Sequence, residues 1–152
     1  MLPKYHIAIG FIFSTIVFFI FPEVTWIGAG LIFFSSVLID VDHYVYYFFK
    51  KKDLSLRKAV NYFLEGRKKI SGMEKSERKK FYSGFCFLHG IEVIILLVLL
   101  GLFISKYFLF ILIGIMLHLF LDITEEIYLG ARLDKISIVY DWFKFRRLKI
   151  LN

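Results

Sequence analysis

From Ile7 to Phe21 the chain carries no charged residue, and a second run from Val24 to Val37 is equally free of charge. A stretch of roughly 20 mostly apolar residues is what an α-helix needs to cross a hydrocarbon layer about 30 Å thick. In that layer the backbone polar groups have no water to bond, so a single such run is restricted to helix. Two more long apolar stretches follow, Phe81–Ile104 and Tyr107–Ile127, each interrupted by a few ionisable groups. The composition agrees: 59% of the 152 residues are hydrophobic, against about 45–50% in ordinary soluble domains. The excess lies in blocks and shows no strand or amphipathic-helix period. An all-α integral membrane four-helix bundle is therefore expected, as a single membrane domain. Its spans run over about 6–21, 24–43, 82–104 and 107–127.

The connections differ sharply. Pro22-Glu23 and Ser105-Lys106 are minimal turns, and proline disfavours helix in the residue before it. Residues 50–80, in contrast, hold twelve Lys or Arg, and the tail 131–152 holds six more. Eighteen of the twenty basic residues thus lie in two segments. Positive charge gathers on the cytoplasmic side of membrane proteins, which predicts a cell-membrane protein with both termini, the loop 50–80 and the tail in the cytoplasm. The formal charge of +7 is read as topology and not as a nucleic-acid surface, because it alternates with bilayer-length blocks. No small-residue cleavage site follows Phe19-Ile20-Phe21-Pro22-Glu23, so the first block is expected to be a retained span. Cys86 is the single cysteine and lies within an apolar run, which excludes an intrachain disulfide and thiolate sites of the CxxC type.

Inside the loop, Ser55 is placed to cap a short helix whose Leu56, Val60, Phe63 and Leu64 share a face, with Gly66 as its stop. Ser71-Gly72-Met73-Glu74 reads as a capping box opening another. The basic loop follows the positive-inside rule, and it also suits anionic lipid head groups. The tail, with Trp142, Phe143, Phe145 and Leu148 among its charges, could lie along the membrane surface.

Ionisable residues at membrane depth are functional candidates by default, because an uncompensated charge there is costly. The expected topology carries all four histidines, one per span, to the same cytoplasmic-side layer. His6 enters the first span, and Asp40, Asp42 and His43 leave the second. His89 and Glu92 begin the third, while His118 and Asp122 end the fourth. Asp40 with His43, His89 with Glu92, and His118 with Asp122 are three or four residues apart, so each pair shares a helix face. Asp42, two residues from Asp40, shares that face only if the helix unwinds; otherwise it meets water. Facing helices build metal sites from such side chains. The expected metal ligands are His6, Asp40, Asp42, His43, His89, Glu92, His118 and Asp122. They would hold one or two divalent ions, zinc first, with manganese, iron or magnesium as alternatives. Glu92 or Asp42 is the expected catalytic carboxylate, a general base toward water. Glu125 and Glu126 are read as a solvated helix end. No GxGxxG, GxxxxGK[ST] or GxSxG occurs, which leaves nucleotide and serine-hydrolase readings without support.

The sequence order His6, Leu38-Ile39-Asp40-Val41-Asp42-His43, Leu88-His89-Gly90 and His118-Leu119-Phe120-Leu121-Asp122-Ile123-Thr124 resembles the YdjM-like family of inner-membrane metal-dependent hydrolases. That family shows an N-terminal His, an LPDxDH element, an HRGxTHS element and an HxxxDxxT element on a few hydrophobic helices. The resemblance covers residues 6 to about 125. It implies a metal centre at His6, Asp40, Asp42, His43, His89, His118 and Asp122. Ile39 stands where the family has proline. In Gly84-Phe85-Cys86-Phe87-Leu88-His89-Gly90 the family's first His and its Arg are missing.

The function expected is a membrane-embedded metal-dependent hydrolase of a lipid or lipid-linked (phospho)ester at the cytoplasmic side of the bilayer. The alternatives are a metal-ion or proton transport protein and a structural bundle tied by its metal. The partners expected are membrane lipid or a lipid-linked substrate and no nucleic acid, and a homo-oligomer is compatible with the sequence.

Overall fold

The computed structural model describes residues 3–78, 80–82, 84, 86–130, 136–147 and 149–150. Among the described residues its regular elements are helices, apart from a two-residue parallel pairing of β1, Phe81–Tyr82, with β2, Lys149–Ile150. Among the described residues three helical stretches are long and apolar enough to cross a membrane: Pro3–Ile20, Trp26–Lys51 and Tyr107–Leu129. Large apolar side chains such as Phe11, Phe19, Trp26, Phe34 and Phe120 stand outward on these stretches. A soluble monomer rarely exposes so much apolar surface. Residues 131–135 at the start of the basic tail, together with 148, 151 and 152, lie outside the described residues. So do the side chains of Phe145 and of residues 81–83 and 85.

The chain forms two compact units. The first comprises Met1–Ile39 and Glu92–Glu125, the second Asp40–Ile91 and Glu126–Asn152. In the first lie α1 (Pro3–Ile20), α2 (Trp26–Leu38), α6 (Ile91–Phe103, from Glu92 onward) and most of α7 (Tyr107–Leu129). Thr25 caps α2, its hydroxyl accepting the Gly28 N–H at 3.2 Å. Val17, Val24, Ile32 and Phe110 form the apolar centre. Close approach of the helices depends on small residues, as in membrane bundles generally. A Cβ on Gly114 of α7 would stand 2.2 Å from the Ile32 carbonyl oxygen and 3.0 Å from the Ser36 nitrogen. The hydroxyls of Ser14, Ser35 and Ser36 donate back to carbonyls of their own helices, so these buried or half-buried groups cost little.

The third expected span is shorter than the sequence suggests. Its helix, α6, begins only at Ile91, and its 13 residues reach roughly 20 Å at 1.5 Å per residue. Glycines at 84 and 90 each disfavour helix by about 1 kcal/mol. The intervening N–H of Leu88 donates to Asp42 Oδ2 instead of to a helical carbonyl, and the Ile91 N–H donates to the Ile136 carbonyl. Where hydropathy leads one to expect a four-span bundle, the described residues contain three span-length helical stretches and one shorter apolar helix.

The second unit contains α3 (Val41–Lys51), α4 (Leu56–Gly72), α5 (Lys75–Arg78) and α8 (Ile138–Arg147). Ser55 is the N-cap of α4, as expected, accepting from the Lys58 N–H. Gly66 does not end this helix. Ala59, Tyr62 and Phe63 turn toward α3, with Tyr47–Tyr62 ring centroids 5.6 Å apart and Lys50 Nζ 2.8 Å from the Tyr62 hydroxyl. That packing outweighs the roughly 1 kcal/mol penalty of one glycine. Nor does Ser71 open a new helix: it lies inside α4 and donates to the Arg67 and Lys68 carbonyls. Leu56, Val60 and Leu64 form an exposed stripe, while their expected companion Phe63 is half-buried.

Candidate metal centres

In the first unit, His6, His118 and Asp122 come together. All three are buried, with relative exposures of 1%, 0% and 3%. His6 is on the second turn of α1, and His118 and Asp122 are one turn apart on α7. Asp122 Oδ1 is 3.2 Å from His6 Nε2, and Oδ2 is 3.5 Å from His118 Nε2. The two imidazoles stack, with centroids 4.0 Å apart and planes 17° from parallel. His118 Nδ1 lies 2.9 Å from the Ser36 carbonyl oxygen. That carbonyl is available because α2 stops at Leu38, and the last four carbonyls of a helix lack intrahelical partners. A carbonyl only accepts, so Nδ1 carries the proton and, in the neutral ring, Nε2 keeps its lone pair on the side of Asp122.

His6 decides what this cluster can do. Neither of its ring nitrogens has a hydrogen-bond partner among the described residues, although both are buried. Its Nε2 is near Asp122 but off line for a hydrogen bond. Buried polar atoms left this way are rare, and each calls for an explanation such as an ion. Two imidazoles and a carboxylate facing one point repel as bare lone pairs, and two imidazoliums stacked at this distance repel as charges. A divalent cation relieves both conditions, and this donor set is one that zinc and ferrous iron accept. The residues present fit a metal.

The second unit gathers Asp40, Asp42, His43, Cys86 and His89. The helical run breaks at Ile39–Asp40, and α3 restarts with Asp40 as its N-cap residue. The break, not a proline, places Asp42 inward at 0% exposure, which removes the option that it faces water. Asp42 Oδ2 accepts from the Leu88 N–H at 3.1 Å and from His89 Nδ1 at 2.8 Å. With Nδ1–H given to Asp42, His89 Nε2 faces Asp40 Oδ1 at 3.7 Å. A histidine held by a carboxylate through its other nitrogen is the usual support of a metal-ligating ring. His43 Nε2 lies 3.4 Å from the same Asp40 oxygen, as the spacing of three predicts.

Glu92 is placed in the first turn of α6, half-buried. His89 lies before that helix begins, so the shared helix face expected for this pair does not form. Glu92, like His6, stands outside the groupings of ligand atoms found among the described residues. Glu125 and Glu126 are half-buried and not fully solvated. Cys86 is the residue that sequence reasoning passed over. It is 1% exposed, and its Sγ lies 3.3 Å from His43 Nδ1. Its position three residues before His89 was the available signal, hidden by its place in an apolar run.

No family model matches the chain, and no curated protein or solved structure matches it either.

Proposed function

We propose that this protein is a membrane-embedded metal-dependent hydrolase of a lipid or lipid-linked phosphoester, related to the YdjM-like family and working at the cytoplasmic side of the inner membrane. The observation that carries the reading is His6: buried, without a hydrogen bond at either nitrogen, and set against His118 and Asp122. Catalytic sites hold their cation by about three protein ligands and keep a position for water, and His6, His118 and Asp122 would supply three. A divalent cation in such a site supplies Lewis acidity, lowering the pKa of water and neutralising charge on a phosphoryl oxygen.

The chain's own groups do the rest. Ser36 holds His118 by its carbonyl and so fixes which nitrogen faces inward. Asp42 fixes His89 in the same way, and with Asp40 and His43 it provides the second cluster. Glu92, in the first turn of α6, would be the carboxylate that accepts a proton from water. On α4 the exposed Leu56, Val60 and Leu64 run beside the exposed Arg57 and Lys68, a surface suited to anionic head groups.

The test is elemental analysis of the detergent-purified protein together with release of phosphate or head group from phospholipids. Wild type should carry about one or two ions per chain, as the reading requires. His118→Ala and Asp122→Asn should lose metal and turnover together. Glu92→Gln should keep metal and lose turnover. A metal-free wild type, even after incubation with zinc, manganese and iron, overturns the reading.

A further inference from the structure

We propose that Cys86 is a thiolate ligand which, with Asp42 and His43, makes the second unit a site for a thiophilic divalent cation, zinc or ferrous iron, in preference to magnesium. Buried cysteines ordinarily act as small hydrophobes among apolar neighbours. Cys86 instead has Sγ 3.3 Å from His43 Nδ1 and 3.8 Å from Nε2, with the Gly84 carbonyl at 3.7 Å. Asp42, His43 and Cys86 each offer an atom such that all three lie within 4.8 Å of one another.

An independent observation points the same way. Asp42 is fully buried, and while its Oδ2 is doubly hydrogen-bonded, its Oδ1 has no partner among the described residues. A buried carboxylate that keeps one oxygen without a hydrogen bond, grouped with an imidazole and a thiol, has a lone pair to give to a cation. Zinc holds sulfur at about 2.3 Å and imidazole nitrogen at about 2.0–2.1 Å. Two such ligands in a tetrahedron stand ~3.5 Å apart, close to the separation found. Sulfur is what distinguishes this trio chemically: magnesium and calcium favour oxygen, whereas thiolate selects zinc and iron. On binding, the Sγ–H proton leaves to solvent and a sulfur–metal bond forms, with no change of oxidation state.

This inference rests on the protein's holding a divalent cation and not on its hydrolysing anything. The experiment is cobalt loading of chelator-stripped protein in detergent, read by absorption. Cys86 is the single cysteine of the chain, so a thiolate-to-cobalt charge-transfer band in the near ultraviolet has one possible source. The expected result is that band in wild type, and its loss in Cys86→Ser with visible cobalt bands retained. Zinc affinity in Cys86→Ser should fall by at least the ~10–100-fold that loss of a mere supporting group costs. Cobalt bound with visible bands but no charge-transfer band overturns the role of Cys86 and leaves the metal reading standing. A wild-type protein that takes up no cobalt overturns both. Should Cys86→Ser fail to fold, the wild-type spectrum decides alone. Maleimide alkylation of wild type, slowed by zinc and not by magnesium, gives a second readout; equal rates with and without zinc overturn the proposal.

Discussion

His118 gives its Nδ1–H to the main-chain carbonyl of Ser36 at 2.9 Å, and so turns its other nitrogen toward Asp122. A side-chain acceptor could be replaced by mutation or could reorient; a carbonyl at the end of α2 can do neither. The tautomer of His118 therefore follows from where α2 ends. Nitrogen-15 spectra of histidine-labelled protein, assigned through His118→Gln, should show the Nδ1–H form. An Nε2–H form would contradict the arrangement.

Gly114 carries the same relationship at the level of packing. Alanine there pushes its Cβ into the Ile32 carbonyl at 2.2 Å, and backbone cannot yield as a flexible side chain does. Gly114→Ala should destabilise by about 1–3 kcal/mol, as overpacking does, and should weaken metal retention because His118 is one turn away. Gly30→Ala meets nothing within 4 Å and should leave the thermal midpoint unchanged or slightly raised. Unfolding curves of both variants in one detergent check the contrast.

Asp42 holds two donors through one oxygen. Asp42→Ala leaves the buried His89 Nδ1–H without its acceptor, at a cost of about 1–3 kcal/mol. It also releases the Leu88 N–H, so the 86–90 segment loses its tie to α3. Denaturant unfolding should show the loss of stability, and limited proteolysis should show new cleavage between Cys86 and Gly90. Unchanged proteolysis would mean that the segment is held by something other than Asp42.

At the exposed turn before α4, the Lys58 ammonium hydrogen-bonded to Asp53 at 2.8 Å holds that carboxyl below the usual carboxylate range, helped by the Ser55 N–H. The same bond raises Lys58 above the usual lysine range. A lowered carboxyl contributes stability above its unfolded pKa and loses it as pH falls through the folded value. A raised amine contributes below its unfolded pKa and loses it as pH rises through the folded value. The turn should therefore be constant between about pH 5 and pH 9 and loosen only beyond those limits. Hydrogen exchange at Ser55 and Lys58 amides measures this, and Asp53→Asn should abolish the acid-side change.

Much of this was legible in the residues. The apolar blocks expected as spans at about 6–21, 24–43 and 107–127 correspond to the helical stretches Pro3–Ile20, Trp26–Lys51 and Tyr107–Leu129, because a run of that length and apolarity is suited to helix. The spacing of four between His118 and Asp122, and of three between Asp40 and His43, is settled by the helical repeat. Ser55 capped as its chemistry requires. Where α4 ends and where α6 begins was not legible, since glycine at 66 is overridden by aromatic packing while glycines at 84 and 90 are not. Propensities near 1 kcal/mol are too small to tell those cases apart.

The sequence by itself therefore determined which residues are apolar, which are ionisable, and which neighbours on one helix face the same way. Its expected topology grouped ionisable residues of different spans in one layer, but it named no distant pair. That Ser36 orients His118, that Asp42 turns inward onto His89, and that Cys86 sits against His43 depend on residues 43 to 82 positions apart in the chain. Local periodicity carries no information over such distances, and only the packed structure decides which donor meets which acceptor.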